Sequence, residues 1–213
     1  MQHSKILQKS LQLYFSAIME KNLPIYNAEI NSEMDGIFAI SLVDWPATQS
    51  NFVYFNEDKA VQKFSIQDEE QRIVSGVVML ADTPIYRRDA DGTEYYLLFS
   101  EKTIRLMAEK MISDNTQNNV DLYHNGDLVG SINLLELFIK DSKKGIVPNY
   151  LEDIPDGSLV ATYKVRDDEV WEAIKSGKLR GFSLAGIFDV SRDDSEKDLQ
   201  EILSQLKKLR KIK

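Results

Sequence analysis

Residues 157–190 read GSLVATYKVRDDEVWEAIKSGKLRGFSLAGIFDV, and the succession of patterns inside them sets the class of fold. Leu159–Val165 is an apolar run rich in β-branched and aromatic residues, bounded by polar and glycine positions, which predicts a strand. Asp167 or Asp168 can cap a short helix carrying Val170, Trp171 and Ile174, because carboxylates are favoured beside the exposed N–H groups of a first turn. Gly177 stands where the left-handed terminator of that helix belongs. Gly181–Val190 then returns to strand.

Upstream, GIFAISLV (36–43) predicts a mostly buried strand closed by Trp45-Pro46, and Phe52–Phe55, Val61–Ile66, Ile73–Ala81 and Tyr95–Phe99 follow the same logic. Ser100 occupies an N-cap position before Ile104, Met107, Ala108 and Met111, so 101–112 should be a helix. Val120–Tyr123 and Ser131–Ile139 are further strands, joined by the turn-like His124-Asn125-Gly126-Asp127. Residues 140–157, polar and holding two Pro and two Gly, form the longest candidate loop. Ile6–Met19 and 194–213 carry apolar residues at helical spacing and predict amphipathic terminal helices.

About eight strands and two inserted helices, without regular βαβ alternation, predict an α+β fold. Its core is expected to be a mixed, mostly antiparallel β-barrel of about seven to eight strands with peripheral helices. The expected organisation is an N-terminal helix (1–23), one domain (24–192) and a basic C-terminal helix (193–213).

Composition narrows the chemistry. The chain of 213 residues has no Cys and two His, and its 34 acidic against 26 basic residues leave a net charge of −8. A chain of this length supplies about one domain and buries roughly 70% of its unfolded surface. Lacking Cys, it has no disulfides, Cys-bearing zinc sites, iron–sulfur clusters or thiol nucleophiles. Its acidity argues against binding a phosphate backbone, although 195–213 holds six basic and three acidic residues. No apolar run is long enough to span a membrane and the first residues lack a signal-peptide core, so a cytoplasmic location is expected.

Neither the P-loop nor the dinucleotide glycine pattern occurs, which removes those nucleotide enzymes. Asp89-Ala90-Asp91-Gly92 resembles the start of a calcium loop, but the rest of that pattern is missing and Asp-Gly is a hairpin signal. Asp193, Asp194 and Asp198 open the last predicted helix, and Lys207, Lys208, Arg210 and Lys211 close it, as its dipole favours. No cofactor and no metal are expected.

Two residues carry more interest. His124 lies at a strand end beside a glycine-bearing turn. It is either a turn histidine of no chemical role or a base, and a base needs a nucleophile within reach. Ser183, in Gly181-Phe182-Ser183-Leu184-Ala185-Gly186, points to the opposite sheet face from Phe182 and Leu184. It is not a nucleophile elbow, since Ala185 stands in place of the second glycine and the strand continues. A small packing residue is the alternative.

The GFS-x-x-G-x-F block after the DDEVW helix, the upstream strand with His124 and GIFAISLVDWPA (36–47) together resemble the XkdF-type phage prohead (capsid maturation) serine proteases. These are similar in fold class to herpesvirus assemblins. The resemblance covers roughly residues 36–190. It implies a serine endopeptidase with Ser183 as nucleophile and His124 as base, an acyl-enzyme mechanism, and Glu136 of Leu134-Leu135-Glu136-Leu137-Phe138 as third catalytic residue. Glu136 could equally be an edge-strand charge, with Asp121 and Asp189 as other candidates for the third role. The resemblance further implies the phage scaffold, the major capsid protein arm and the chain itself as substrates, within the immature prohead in the host cytoplasm. A homodimer is suggested by the assemblins. A non-catalytic assembly protein retaining the fold is the rival expectation.

Overall fold

The computed structural model describes residues 23–44, 53–54, 71–88, 91–148, 151 and 154–192. Both predicted terminal helices, the predicted strand 61–66 and the Trp45-Pro46 breaker lie outside the described residues. Eleven strands and two α-helices are described. In chain order the strands are β1 (Ile25–Glu29), β2 (Gly36–Val43), β3 (Val53–Tyr54), β4 (Ile73–Met79), β5 (Ile85–Arg88) and β6 (Glu94–Leu98). They continue with β7 (Val120–Leu122), β8 (Ile132–Ile139), β9 (Leu159–Val165), β10 (Gly181–Ile187) and β11 (Asp189–Arg192). Helix α1 is Glu101–Ser113 and α2 is Asp168–Lys175.

The described strands form three sheets, ordered β11-β1-β6-β5, β10-β2-β7 and β3-β4-β9-β8. The fold is therefore mixed and rich in strand, as expected. The expected closed barrel is replaced by three separate hydrogen-bonded ladders among the described residues. Pairing is antiparallel except for β1 with β6 and β2 with β7. The second parallel pair corrects a local expectation. Strands β7 and β8 flank the His124 turn, yet they join different sheets instead of a hairpin.

Local chemistry explains the elements. Helix α1 starts where Ser100 accepts a hydrogen bond from Thr103 N–H, and it buries Thr103, Ile104, Met107, Ala108 and Met111. In α2, Asp167 accepts from Val170 N–H, and Val170, Trp171 and Ile174 are buried. The chain leaves that helix through Gly177 at φ +74°, a left-handed conformation that L side chains avoid. The single strand expected over 181–190 divides at Phe188, so that β10 pairs with β2 and β11 with β1. Strands β1 and β5 were not expected. Each is short, β1 carries Asn27 and Glu29 and β5 two Arg, and partners elsewhere in the chain supply their hydrogen bonds.

One main core joins all three sheets and both helices. Ile40 and Leu42 of β2, Val74 of β4, Tyr163 of β9 and Phe182 of β10 are fully buried in it. The rings of Tyr163 and Phe182 meet edge-on with centroids 5.4 Å apart. Complete burial of each such side chain contributes about 1.5–3 kcal/mol. Burial also pushes the Tyr163 hydroxyl well above the usual phenol range, and that hydroxyl donates to the Gln117 carbonyl at 2.8 Å. A second, smaller apolar cluster of Val77, Leu151 and Val160 lies apart from the main core.

Candidate active site

Alternation along β2 and β10 decides which side chains leave the core. Since Phe182, Ile40 and Leu42 point inward, Ser183 and Ser41 point to the other face of their sheet. The two serines are directly opposed in the antiparallel ladder, Ser183 against Ser41. On the far side of β2, Ser41 is in parallel register with Asp121 of β7. Ser183, Ser41 and Asp121 thus form a polar row across one sheet face. All three are buried: Ser41 is 0% exposed, Asp121 3% and Ser183 7%.

β7 ends in an unusual turn that brings His124 to this row. Tyr123 and His124 have φ values of +57° and +58°. Two successive left-handed non-glycine residues are costly, by about 1–2 kcal/mol each. Three hydrogen bonds hold the turn: Tyr123 N–H to the Leu42 carbonyl at 3.0 Å, Asn125 N–H to the Leu122 carbonyl at 3.1 Å, and Gly126 N–H to Asp121 Oδ2 at 3.0 Å. Strain kept in place by such anchors is a mark of functional loops. Its result is that His124 Nδ1 lies 2.8 Å from Ser41 Oγ. The imidazole is otherwise exposed to solvent.

Each residue singled out in the sequence can now be placed. His124 and Ser183 are brought to the same sheet face, with Ser41 between their strands and bonded to the imidazole. Glu136 is elsewhere. It is exposed on β8, the edge strand of a different sheet, and its Oε2 accepts from Thr162 Oγ1 at 2.9 Å. Thr162 in turn bonds Ser75 at 2.6 Å. Among the described residues no hydrogen bond or ion pair joins Glu136 to His124, and its position matches an edge-strand charge. Asp189 also belongs to another sheet, on β11, where its exposed carboxylate accepts from Asn31 Nδ2 at 3.1 Å. Asp121 is the acidic candidate that shares the row.

Sequence reading missed Ser41. The signal was present, since Ser41 interrupts the apolar run GIFAISLV between Ile40 and Leu42 just as Ser183 interrupts its own strand. Chemically, the arrangement offers an imidazole bonded to the Ser41 hydroxyl, with the Ser183 hydroxyl and the buried Asp121 carboxylate in register on either side of Ser41, groups of the kind used in proton transfer from a serine. Among the described residues no group of three or more His, Asp or Glu is placed to hold a metal ion.

Comparison with known proteins bears on the same residues. Residues 60–192 match the family described as "Putative phage serine protease XkdF". That span contains His124, Ser183, Asp121 and Glu136, whereas Ser41 precedes it. The chain is also similar to the phage-like element PBSX protein XkdF of Bacillus subtilis (strain 168), with 28% identity over 167 residues. The alignment covers 73% of this chain and 54% of that protein, so the chain spans about half the length of the curated relative it matches. No solved structure matches the chain. The family match takes in well over half of the sequence, and by it the chain belongs to that XkdF family.

Proposed function

We propose that the protein is a serine endopeptidase in which Ser183 is the nucleophile and His124 the general base. The observation that carries this reading is the shared sheet face, where the imidazole lies 2.8 Å from the hydroxyl directly opposite Ser183. Neutral His124 takes the Ser183 proton as Oγ attacks a peptide carbonyl, then gives it to the leaving amine; water resolves the acyl-enzyme by the same route. Ser41 has the shorter path to the ring but is fully buried and precedes the family match, whereas Ser183 retains 7% exposure and lies inside that match. Accessibility favours Ser183, because a nucleophile must meet its substrate.

The substrates on this reading are the phage scaffold, the arm of the major capsid protein and the chain itself, cleaved inside the immature prohead in the host cytoplasm during capsid maturation. The phage family supports that setting. The acidic net charge of −8 fits a protein with little affinity for the genome that fills the capsid. A homodimer is the proposed assembly, and no membrane partner is proposed. The tail at 193–213, whose sequence has helical apolar spacing and a small basic excess, is the proposed contact for the scaffold.

Incubation of wild type, Ser183→Ala and His124→Ala with the phage scaffold, followed by mass spectrometry of fragments, tests the proposal. Wild type should cleave, and both variants should lose at least about 100-fold in rate. Equal cleavage by all three removes the enzyme reading. Absence of cleavage in all three supports the alternative of a non-catalytic assembly protein.

A further inference from the structure

Ser41 accounts for every hydrogen bond of the His124 ring among the described residues, and the ring atom it meets is informative. A base that receives the Ser183 proton on Nε2 must carry its own hydrogen on Nδ1, and that hydrogen needs an acceptor to fix the tautomer. At 2.8 Å from Nδ1, Ser41 Oγ is such an acceptor. A hydroxyl accepting from a ring N–H still has its own hydrogen to donate.

Asp121 lacks a donor of that kind. Its side chain is 3% exposed, Oδ2 accepts from Gly126 N–H, and Oδ1 is buried without a hydrogen-bond partner. An orphaned buried acceptor costs about 1–3 kcal/mol, and more when charged. Ser41 stands in register with Asp121 on the adjacent strand, on the same face. Neighbouring strands are about 4.8 Å apart, which makes Ser41 and Asp121 adjacent side chains of one face.

We infer that Ser41 is a positioning residue linking the Asp121 carboxylate to His124, so that one sheet face carries the order Asp121, Ser41, His124, Ser183. The inference rests on Ser183 and His124 being nucleophile and base. In the reaction the Ser183 hydrogen moves to Nε2 as the Oγ–carbon bond forms. The Nδ1 hydrogen stays on Nδ1, donated to Ser41 Oγ, and the Ser41 hydrogen stays on Oγ, donated to Asp121 Oδ1. The carboxylate stabilises the imidazolium through one intervening hydroxyl, and Glu136 has no part.

The test uses the full chain and a fluorophosphonate probe, with adducts mapped by mass spectrometry and saturation kinetics separating kinact from KI. Ser41→Ala should lower kinact about 100-fold with KI unchanged, the scale of loss when a reacting group is misplaced. Ser41→Thr, which keeps the hydroxyl, should recover to within about tenfold of wild type. Asp121→Asn preserves the Gly126 contact through its amide oxygen but presents a donor to Ser41, and should fall as far as Ser41→Ala. Nitrogen NMR of the chain's two His residues gives an independent reading: His124 should be the Nδ1–H tautomer in wild type and lose that preference in both variants. Labelling of Ser183 at the wild-type rate in folded Ser41→Ala or Asp121→Asn overturns the link while leaving the dyad intact. Failure of wild type to label, or labelling that survives Ser183→Ala, overturns the dyad and the link with it. If Ser41→Ala does not fold, Asp121→Asn decides the question by the same comparison.

Discussion

Tyr123 carries a cost that its own side chain does nothing to repay, being left-handed and 52% exposed. Its value lies in the next residue, since the paired left-handed turn is what swings His124 back over β2. Replacing it with glycine removes a strain of about 1–2 kcal/mol but admits many more backbone conformations to the unfolded chain and to the turn. Tyr123→Gly should therefore keep or slightly raise the melting temperature, by up to about 1 kcal/mol in stability, while slowing fluorophosphonate labelling of Ser183. An unchanged labelling rate would show that the turn does not set the position proposed for His124 as base. Gly186 makes the opposite case, because a Cβ there would stand 2.5 Å from the Gly36 carbonyl oxygen, which is backbone and cannot step aside. Gly186→Ala should destabilise the protein by about 1–3 kcal/mol, read from the urea midpoint.

β10 and β2 show how an element places chemistry without containing its partner. Each strand alternates between core and outer face, so a hydroxyl between two large apolar residues is directed outward. The long connection between β8 and β9 is fixed differently, through a buried cation. Lys140, 5% exposed, bonds Asp156 Oδ1 at 2.8 Å, and Asp156 also accepts from Ser142. The Lys140 ammonium, then the Ser142 hydroxyl, draw the Asp156 carboxyl down from 3.8 to about 2. A carboxyl depressed on folding adds stability that is complete above its unfolded value, near pH 4, and that is lost as pH falls through about 2. Urea midpoints measured from pH 5 downward should decline for wild type and decline less steeply for Asp156→Asn, which starts from a lower value at neutral pH. Parallel curves would mean that the pair does not anchor the loop.

The three sheets share one core, so a loss at its centre should be felt by all of them together. Trp171, 1% exposed on α2, is among the largest side chains buried there. Trp171→Ala should cost about 3–5 kcal/mol, seen as a single shifted transition by both circular dichroism and fluorescence. Separate transitions would indicate sheets that unfold independently. Periodicity and end signals made several elements legible before any coordinates: β2 and β9 have the boundaries read from the sequence, and α2 has its Asp167 cap and Gly177 terminator. His124 and Ser183 could be singled out because an imidazole near a turn and a hydroxyl in an apolar strand are visible one residue at a time. Ser41 carried the same kind of mark and was passed over, since nothing within β2 distinguishes a packing serine from one beside an imidazole. Strand partners were not legible, because hydrogen bonds between strands depend on register across long stretches of chain; hence the mistaken β7–β8 hairpin and the unforeseen β1 and β5. For that reason the sequence did not show that Glu136 would bond Thr162, on β9 in a sheet other than that of Ser183. Which residues could do chemistry followed from their side chains, but which of them share a face followed from pairing β10 with β2 and β2 with β7, a choice made by burial of the whole core.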